Sequence, residues 1–304
     1  MTICPLCQNK QIPLKHEVDG YKYYFCQQCQ VLFLSPKPKN KGIREYYSQN
    51  FTYTDGLHEE KRIRQRAKII LTKLKNMHPQ GKTLLDIGSG FGFFLDDANR
   101  SGFEAIGIEP AKKLAEYARK KYRLPVINQS IDDFKPTKKY DFITLIHVIE
   151  HFTDPISVIK KFKKLLNKDG ILYIETPNLD SYLYRAEQRN YTFLTPPDHL
   201  FIFSQFSIYR LIEKYSDLQM LSMSTYSYPE HFMGIIKSVI KGSPSLSPHP
   251  YNFPALTRRP SHPTSSKLSN SLKYLIFDQF MAPIFTPLLN LFNYGSILQI
   301  YIKR

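Results

Sequence analysis

The chain has 304 residues, of which 42% are hydrophobic and 22% are charged, a composition typical of a globular protein with one large core or a medium core and a satellite domain. Lys and Arg outnumber Asp and Glu by 42 to 26, so the net charge of +16 favours phosphates, anionic lipid heads or acidic substrates without distinguishing them. The start, "MTICPLCQNK", lacks an apolar stretch after basic residues, which argues against a secretory signal and for a cytoplasmic protein with reduced thiols.

All four cysteines lie near the start of the chain, as the C-x-x-C pairs Cys4/Cys7 and Cys26/Cys29. In a reducing compartment, two such pairs predict a tetrahedral thiolate zinc site. Four thiolates leave no coordination position for a catalytic water, so the zinc is predicted to be structural. A redox motif is the alternative, but no βαβ pattern surrounds either pair. We predict a zinc ribbon over residues 1–36, held together by the metal because the segment is too short for a core of its own.

Residues 37–80 are predicted to form a Pro/Lys linker and a basic amphipathic helix from about His58 to Met77. Apolar residues recur every three or four positions and would form one buried face of the helix: Ile63, Ala67, Ile70, Leu74 and Met77. This pattern predicts a helix packed on the core with a solvated basic face. Binding of an acidic partner along that face is the alternative.

Residues 81–228 alternate strand and helix patterns, which predicts an α/β fold with a parallel sheet covered on both faces. The predicted strands are "TLLDIG", "EAIGIEP", "PVIN", "YDFITLIHVI", "GILYIETP" and "LQMLSMSTYSY". The predicted helices are Phe93 to Arg100, Ala111 to Tyr122, Pro155 to Leu166, and Ser204 to about Tyr215. Sheets of this kind bind ligands at the carboxyl ends of their strands.

Three glycines at alternate positions, Gly88, Gly90 and Gly92, follow the first of these strands and open a helix. Bare backbone there lets amides approach a ligand closely. A dinucleotide fingerprint would place its third glycine at position 93, where this chain has Phe93. The pattern D-x-G-x-G-x-G, starting at Asp86, instead resembles motif I of the class I S-adenosylmethionine (SAM)-dependent methyltransferases. The resemblance implies a Rossmann-like seven-stranded sheet with helices on both faces and SAM as cofactor.

The resemblance extends over about residues 82–228. "YDFITLIHVIEHFTDP", "LNKDGILYIETPN" and "PPDHLFIFS" are similar to landmarks of the branch that includes ubiquinone-pathway O-methyltransferases and bacterial glycan- or natural-product-modifying enzymes. It implies that Glu109 binds the ribose hydroxyls and that Ile131 and Asp132 hold the adenine. The full set of implied cofactor-binding residues is Asp86, Gly88, Ser89, Gly90, Gly92, Glu109, Ile131, Asp132 and His147. Many members of this branch also carry an N-terminal zinc ribbon, although Gln8 and Gln30 stand here where its knuckles usually have glycine.

Methyl transfer to a hydroxyl requires alignment of the acceptor and removal of its proton. The candidate bases are His147, His151 and His199, with His199 the first choice. The alternative for each is a structural hydrogen bond. Some ubiquinone-pathway relatives bind a divalent metal through E-x-x-E-H, and His147 replaces the first acid here while Glu150 and His151 remain, so a metal is a further alternative.

The resemblance implies a small-molecule, glycan or lipid-linked acceptor, with a hydroxyl oxygen favoured over carbon or nitrogen. An RNA methyltransferase that uses the zinc ribbon and the basic surface is the alternative. It is disfavoured because "HVIEH" follows the fourth strand, where a base-methylating N-P-P-Y-type motif would stand.

Residues 229–304 are predicted to complete the fold. Residues 242–266 are rich in proline and serine and predict a mobile loop that could cover the acceptor site. The uncharged tract from Gln279 to Ile302 is interrupted by Pro283, Pro287 and Gly295, so no transmembrane helix is predicted. A packed helix followed by "SILQIYI" as the last strand is favoured, with peripheral membrane contact as the alternative.

Overall fold

A computed structural model describes residues 2–38, 59–136, 138–228, 231 and 294–304. The strands are β1 (Leu14–Val18), β2 (Tyr21–Cys26), β3 (Val31–Leu34), β4 (Thr83–Ile87), β5 (Glu104–Ile108), β6 (Val126–Ile127), β7 (Tyr140–Ile146), β8 (Leu166–Pro177), β9 (Phe201–Phe203), β10 (Gln219–Tyr226) and β11 (Ile297–Lys303). The helices are α1 (Glu60–Met77), α2 (Phe93–Arg100), α3 (Lys112–Tyr122), α4 (Pro155–Leu165), α5 (Tyr182–Glu187) and α6 (Gln205–Ser216), with short 3₁₀ turns at Ile149–His151 and Gln188–Asn190.

The main sheet has seven strands in the order β10-β11-β8-β7-β4-β5-β6. Strands β4 to β8 are parallel, whereas β11 runs antiparallel to both β8 and β10. The chain starts at β4, moves outward through β5 and β6, and returns to β7 on the other side of β4. The strand order therefore reverses between β4 and β7, and the carboxyl ends of these strands border a crevice suited to a ligand. The predicted α/β class and seven-stranded sheet are confirmed.

Helices cover both faces of this sheet. Neighbouring residues of a strand point to opposite faces, and in the central strands both sets are apolar and buried. Leu84 belongs to the buried cluster formed with α1, α2 and α3. Leu85, one residue later, belongs to the cluster that includes residues of α4 and α6. The predicted apolar face of α1 is buried at Ala67, Ile70 and Leu74, as its periodicity indicated.

Local signals set the start of two helices. The Asp154 side chain accepts a hydrogen bond from the Ser157 amide and Pro155 occupies the first turn of α4, while Ser204 caps α6 in the same way. Helix α4 ends at Leu165 and β8 begins at Leu166, four residues before the predicted strand "GILYIETP", which starts at Gly170. Pairing of Leu166 with Tyr140 across an irregularity in the β7–β8 ladder extends the strand through that stretch.

The N-terminal segment forms a second sheet, in the order β1-β2-β3-β9, and its last strand comes from a distant part of the chain. The register pairs Val31 with Phe203 and Phe33 with Phe201. Tyr23 and Leu32 of the ribbon are buried in the same apolar cluster as β9. As expected from its length, the segment builds no core of its own. Its apolar residues are instead buried in the main core, which it joins through β9.

The predicted last strand is present as β11. The proline- and serine-rich residues 242–266 and the predicted helix that precedes β11 lie outside the described residues. Within the described part of the chain, the structure has no helix of the length and apolar character needed to cross a membrane.

Candidate functional site

The glycine loop after β4 lies at the carboxyl end of the main sheet. All three glycines have positive φ angles: 71° at Gly88, 54° at Gly90 and 82° at Gly92. A Cβ atom at Gly88 would lie 2.6 Å from Val148 Cγ2, and one at Gly92 would lie 2.7 Å from Leu124 Cδ1. Beside Gly90, by contrast, no described atom lies within 4 Å of such a Cβ. Gly88 and Gly92 thus serve packing, whereas the backbone of Gly90 is bare among the described residues.

Glu109 follows β5 and is tied to this loop. Its Oε2 accepts a hydrogen bond from the Gly90 amide at 2.8 Å, and its Oε1 accepts one from the Ala111 amide at 2.7 Å. Burial raises the pKa of Glu109 to about 7, although these two amide bonds oppose the shift. An ionised carboxylate can accept about four hydrogen bonds. The two that are present leave capacity for two hydroxyl groups of a ligand.

Asp86 and Ser89 flank the first glycine. Asp86 Oδ1 accepts a hydrogen bond of 2.7 Å from Thr144 Oγ1, which ties β4 to β7, and burial raises the pKa of Asp86 to about 7. Ser89 Oγ is buried and has no hydrogen-bond partner among the described residues. It packs against Gly107 of β5, where a Cβ atom would come within 2.6 Å of it.

Ile131 and Asp132 lie in a turn after β6, the predicted adenine position. Ile131 is buried and Asp132 is exposed. The Lys161 ammonium, from α4, donates to the carbonyl oxygens of Ile131, of Asp132 at 3.4 Å and of Phe134 at 3.2 Å. Lys161 therefore holds this turn against α4, a contact that joins segments too distant in sequence for a local pattern to indicate.

His147 and Glu150 follow β7, across the crevice from the glycine loop. His147 has a φ of 55°, and its amide donates to the Glu175 carbonyl at 3.0 Å. Its Nδ1 lies 3.4 Å from Glu150 Oε1, while Glu150 Oε2 accepts a hydrogen bond of 3.0 Å from Thr176 Oγ1. Burial opposes ionisation of Glu150, but the adjacent His147 and the His151 charge outweigh it and lower its pKa.

His151 is held by Asp198, a residue with no role predicted from the sequence. His151 Nδ1 lies 3.0 Å from Asp198 Oδ1, and Nε2 lies 3.1 Å from the His147 carbonyl oxygen. Burial lowers the pKa of His151, but the Asp198 and Glu150 carboxylates outweigh that effect and raise it to about 9. His151 is therefore a cation near neutral pH, which suits it to stabilise negative charge rather than to accept a proton.

His199 has the opposite character. It is buried, its ring centroid is 4.8 Å from that of His151, and its Nδ1 lies 2.8 Å from the Phe193 carbonyl oxygen. Burial and the His151 cation lower the pKa of His199. Because a carbonyl can only accept, Nδ1 carries the proton and Nε2 keeps a lone pair. His199 is thus a neutral imidazole able to accept a proton.

Ligand atoms of Glu150, His151 and His199 lie within 4.8 Å of one another, the spacing expected of a metal site. Both ring nitrogens of His151, however, face oxygen atoms at hydrogen-bond distance. His151 is thus hydrogen-bonded in this structure, and the three side chains also offer the donor set of the divalent metal considered above.

The four cysteine sulfurs also lie within 4.8 Å of one another, and Cys7 Sγ is 3.7 Å from Cys26 Sγ. A tetrahedral zinc with Zn–S bonds of about 2.3 Å separates its sulfurs by about 3.8 Å, so the free thiols fit this ion. Gln8 and Gln30 adopt the positive φ angles, 63° and 53°, for which glycine is usual. The two knuckles therefore keep the expected turn despite the departure in sequence.

A seven-stranded sheet of this order, with a glycine loop after its central strand and an acid after the next, defines a class I SAM-dependent methyltransferase. Residues 58–221 match the family model for the methyltransferase domain, and the chain belongs to that family. The resemblance inferred from the sequence is confirmed.

Curated relatives include ubiquinone biosynthesis O-methyltransferases. The protein of Pelagibacter ubique is 38% identical over 108 residues, which cover 33% of this chain and 45% of that protein. The protein of Actinobacillus pleuropneumoniae is 33% identical over 109 residues, covering 32% and 47%. The matched region therefore spans less than half the length of each of these relatives.

Among solved structures, the plantazolicin methyltransferase BpumL in complex with SAH is similar over 87% of this chain and 95% of that one, with a TM-score of 0.50 and 16% identity. At this identity the likeness shows a shared fold.

Proposed function

We propose that this protein transfers a methyl group from SAM to a hydroxyl oxygen of a small-molecule, glycan or lipid-linked acceptor. One observation carries the proposal: the glycine loop and Glu109 follow β4 and β5, His151 follows the adjacent strand β7, and the His199 ring contacts His151, so the two groups border the same carboxyl end of the sheet. The names of the curated relatives, which are O-methyltransferases, support oxygen as the acceptor atom.

On the cofactor side, we assign SAM to the loop of Gly88, Ser89, Gly90 and Gly92, with Asp86 beneath it. The bare backbone at Gly90, which no described residue covers, fits a ligand lying against it. The Glu109 carboxylate would accept the two ribose hydroxyls. The turn at Ile131 and Asp132 would hold the adenine, and His147 would line the methionine end.

On the acceptor side, we assign the general base to His199 and electrostatic support to His151. When bound, SAM supplies an electrophilic methyl group, so the protein has to orient the acceptor and remove its proton. Neutral His199 can take that proton at Nε2, while its Nδ1–H stays bonded to the Phe193 carbonyl. Cationic His151 then stabilises the developing oxyanion, because opposite charges attract strongly where water is excluded.

We further propose that Cys4, Cys7, Cys26 and Cys29 bind one structural zinc ion. The sulfur spacing and the two matching turns support this assignment. Because the cysteines are in the ribbon and the glycine loop follows β4, the metal takes no direct part in cofactor binding.

The function is tested with SAM labelled in its methyl group. The protein is incubated with separate extracts of small metabolites, glycolipids and RNA, and the fraction that gains label is identified. That fraction is then tested with His199→Gln, which should lower the rate by about 100-fold to 10,000-fold at unchanged SAM affinity. His78→Gln is a matched control, because His78 packs on Phe142 away from the crevice.

Two results would contradict the proposal. Label entering RNA alone would favour the RNA methyltransferase that the net charge of +16 keeps as the alternative. A His199→Gln variant as active as the wild type would show that this histidine is structural and that alignment of the acceptor is the main source of catalysis.

A further inference from the structure

The peptide unit that joins His199 to Leu200 is held from two sides. On one side, the Tyr23 hydroxyl of the ribbon donates to the His199 carbonyl oxygen at 2.8 Å. On the other side, the Leu200 amide donates to the Glu150 carbonyl oxygen at 2.9 Å. Tyr23 is fully buried, so its bond does not compete with water. One partner of this peptide thus belongs to the ribbon and the other to the segment after β7.

The residues after His199 continue this connection. The Leu34 amide donates to the Leu200 carbonyl oxygen at 2.9 Å, and β9 then pairs with β3. On its other side, β9 contacts the end of β8, where the Leu179 amide donates to the Phe203 carbonyl oxygen at 2.9 Å. Strand β9 therefore bridges the ribbon sheet and the carboxyl end of the main sheet.

The cysteine cluster lies close to these contacts in the ribbon. Cys26 ends β2, the strand that contains Tyr23, and it pairs with Val31 at the start of β3. The Gln30 amide donates to the Cys26 carbonyl oxygen at 2.7 Å in the turn between them. A metal bound by the four thiolates would fix this turn, and with it the strand that pairs with β9.

From this arrangement we infer that the ribbon is part of the acceptor site. Tyr23 is a positioning residue for His199, and the four-cysteine site holds the strand that contains Tyr23 in place. The inference rests on the proposed role of His199 as base, but not on the assignment of the SAM site. It explains why a ribbon at the start of the chain shares a strand with the segment that carries His199.

The test compares Tyr23→Phe with Tyr24→Phe in the full chain. The first removes only the hydroxyl that bonds to His199, and the second removes the hydroxyl of the next residue, whose ring packs on Phe33. Cys26→Ser serves as the metal-loss variant. The measurements are metal content, SAH affinity by calorimetry, hydrogen exchange of residues 199–203, and the His199 imidazole resonance, assigned through its loss in His199→Gln.

We expect Tyr23→Phe to retain its metal and its SAH affinity, to exchange residues 199–203 about tenfold faster, and to shift the His199 resonance. Tyr24→Phe should match the wild type. Cys26→Ser should lose the metal and show the larger change in exchange. If Cys26→Ser does not fold, Tyr23→Phe alone decides.

A Tyr23→Phe variant with the same exchange and the same His199 resonance as Tyr24→Phe would overturn the inference, as would metal loss without faster exchange of residues 199–203. Failure of the wild type to bind SAH would instead refute the SAM assignment. The exchange comparison between the variants would still report on the ribbon in that case.

Discussion

The substitution Gly90→Ala separates the ligand-facing glycine from the packing glycines of the same loop. Gly90 has a φ of 54°, so alanine costs about 1–2 kcal/mol for the left-handed conformation. About 0.4–1 kcal/mol of this is offset by the lower entropy of the unfolded chain. Since a Cβ meets no described atom within 4 Å, no packing cost is added, and the net loss of stability is about 1 kcal/mol.

Gly92→Ala is the matched control. Its φ of 82° carries a similar backbone cost, but its Cβ would lie 2.7 Å from Leu124 Cδ1 and 2.8 Å from Ala118 Cβ. Overpacking of this kind costs about 1–3 kcal/mol more. We therefore expect a larger fall in melting temperature for Gly92→Ala than for Gly90→Ala, at about 2–4 °C per kcal/mol.

For cofactor affinity we expect the opposite ranking, with Gly90→Ala more impaired than Gly92→Ala. The new Cβ at position 90 occupies the space that we assign to SAM, so calorimetric titration should give SAH binding at least about tenfold weaker, or about 1.4 kcal/mol. Gly90→Val should weaken it further. Gly92→Ala, measured well below its melting temperature, should bind SAH more tightly than Gly90→Ala does. Wild-type affinity in Gly90→Ala would refute the placement of the cofactor.

Three further predictions concern charge and metal. Glu109, with a pKa of about 7, is protonated below and ionised above that pH, so SAH affinity should fall as the pH drops from 8 to 6. Calorimetry on Glu109→Gln should give weaker SAH binding without this pH dependence. Asp198→Asn should lower the pKa of His151 from about 9, measured by an NMR titration of its ring, and an unchanged value would contradict the ion pair. Elemental analysis should find about one zinc per chain in protein prepared reduced and without chelator, and Cys26→Ser should release it at unchanged SAH affinity.

Much of the fold was predictable because its signals are local. Helix α2 begins at the predicted Phe93, directly after the glycine loop. Helix α4 begins at the predicted Pro155, after its capping residue Asp154, and ends one residue earlier than predicted. The glycines before α2 and the acid after β5 were visible for the same reason: each directly follows an apolar strand. The extension of β8 back to Leu166 was missed, because it depends on pairing with β7.

The candidate site was predictable only in part. Their positions near strand ends predicted the same role, that of general base, for His147, His151 and His199, with His199 the first choice. The structure separates them by their surroundings. Asp198 raises the pKa of His151 to about 9, and burial beside that cation lowers the pKa of His199. Such differences depend on distances and burial that no short motif encodes.

The sequence by itself determined the alternation of strands and helices, the glycine loop and the four clustered cysteines, because each depends on residues close together in the chain. Only the tertiary structure decided that β9 joins the ribbon sheet, that Tyr23 bonds to His199 and that Lys161 holds the turn at Ile131. These contacts join segments far apart in sequence. The first two form because burial of the apolar residues of β3 and β9 brings together polar groups that must then find hydrogen-bond partners.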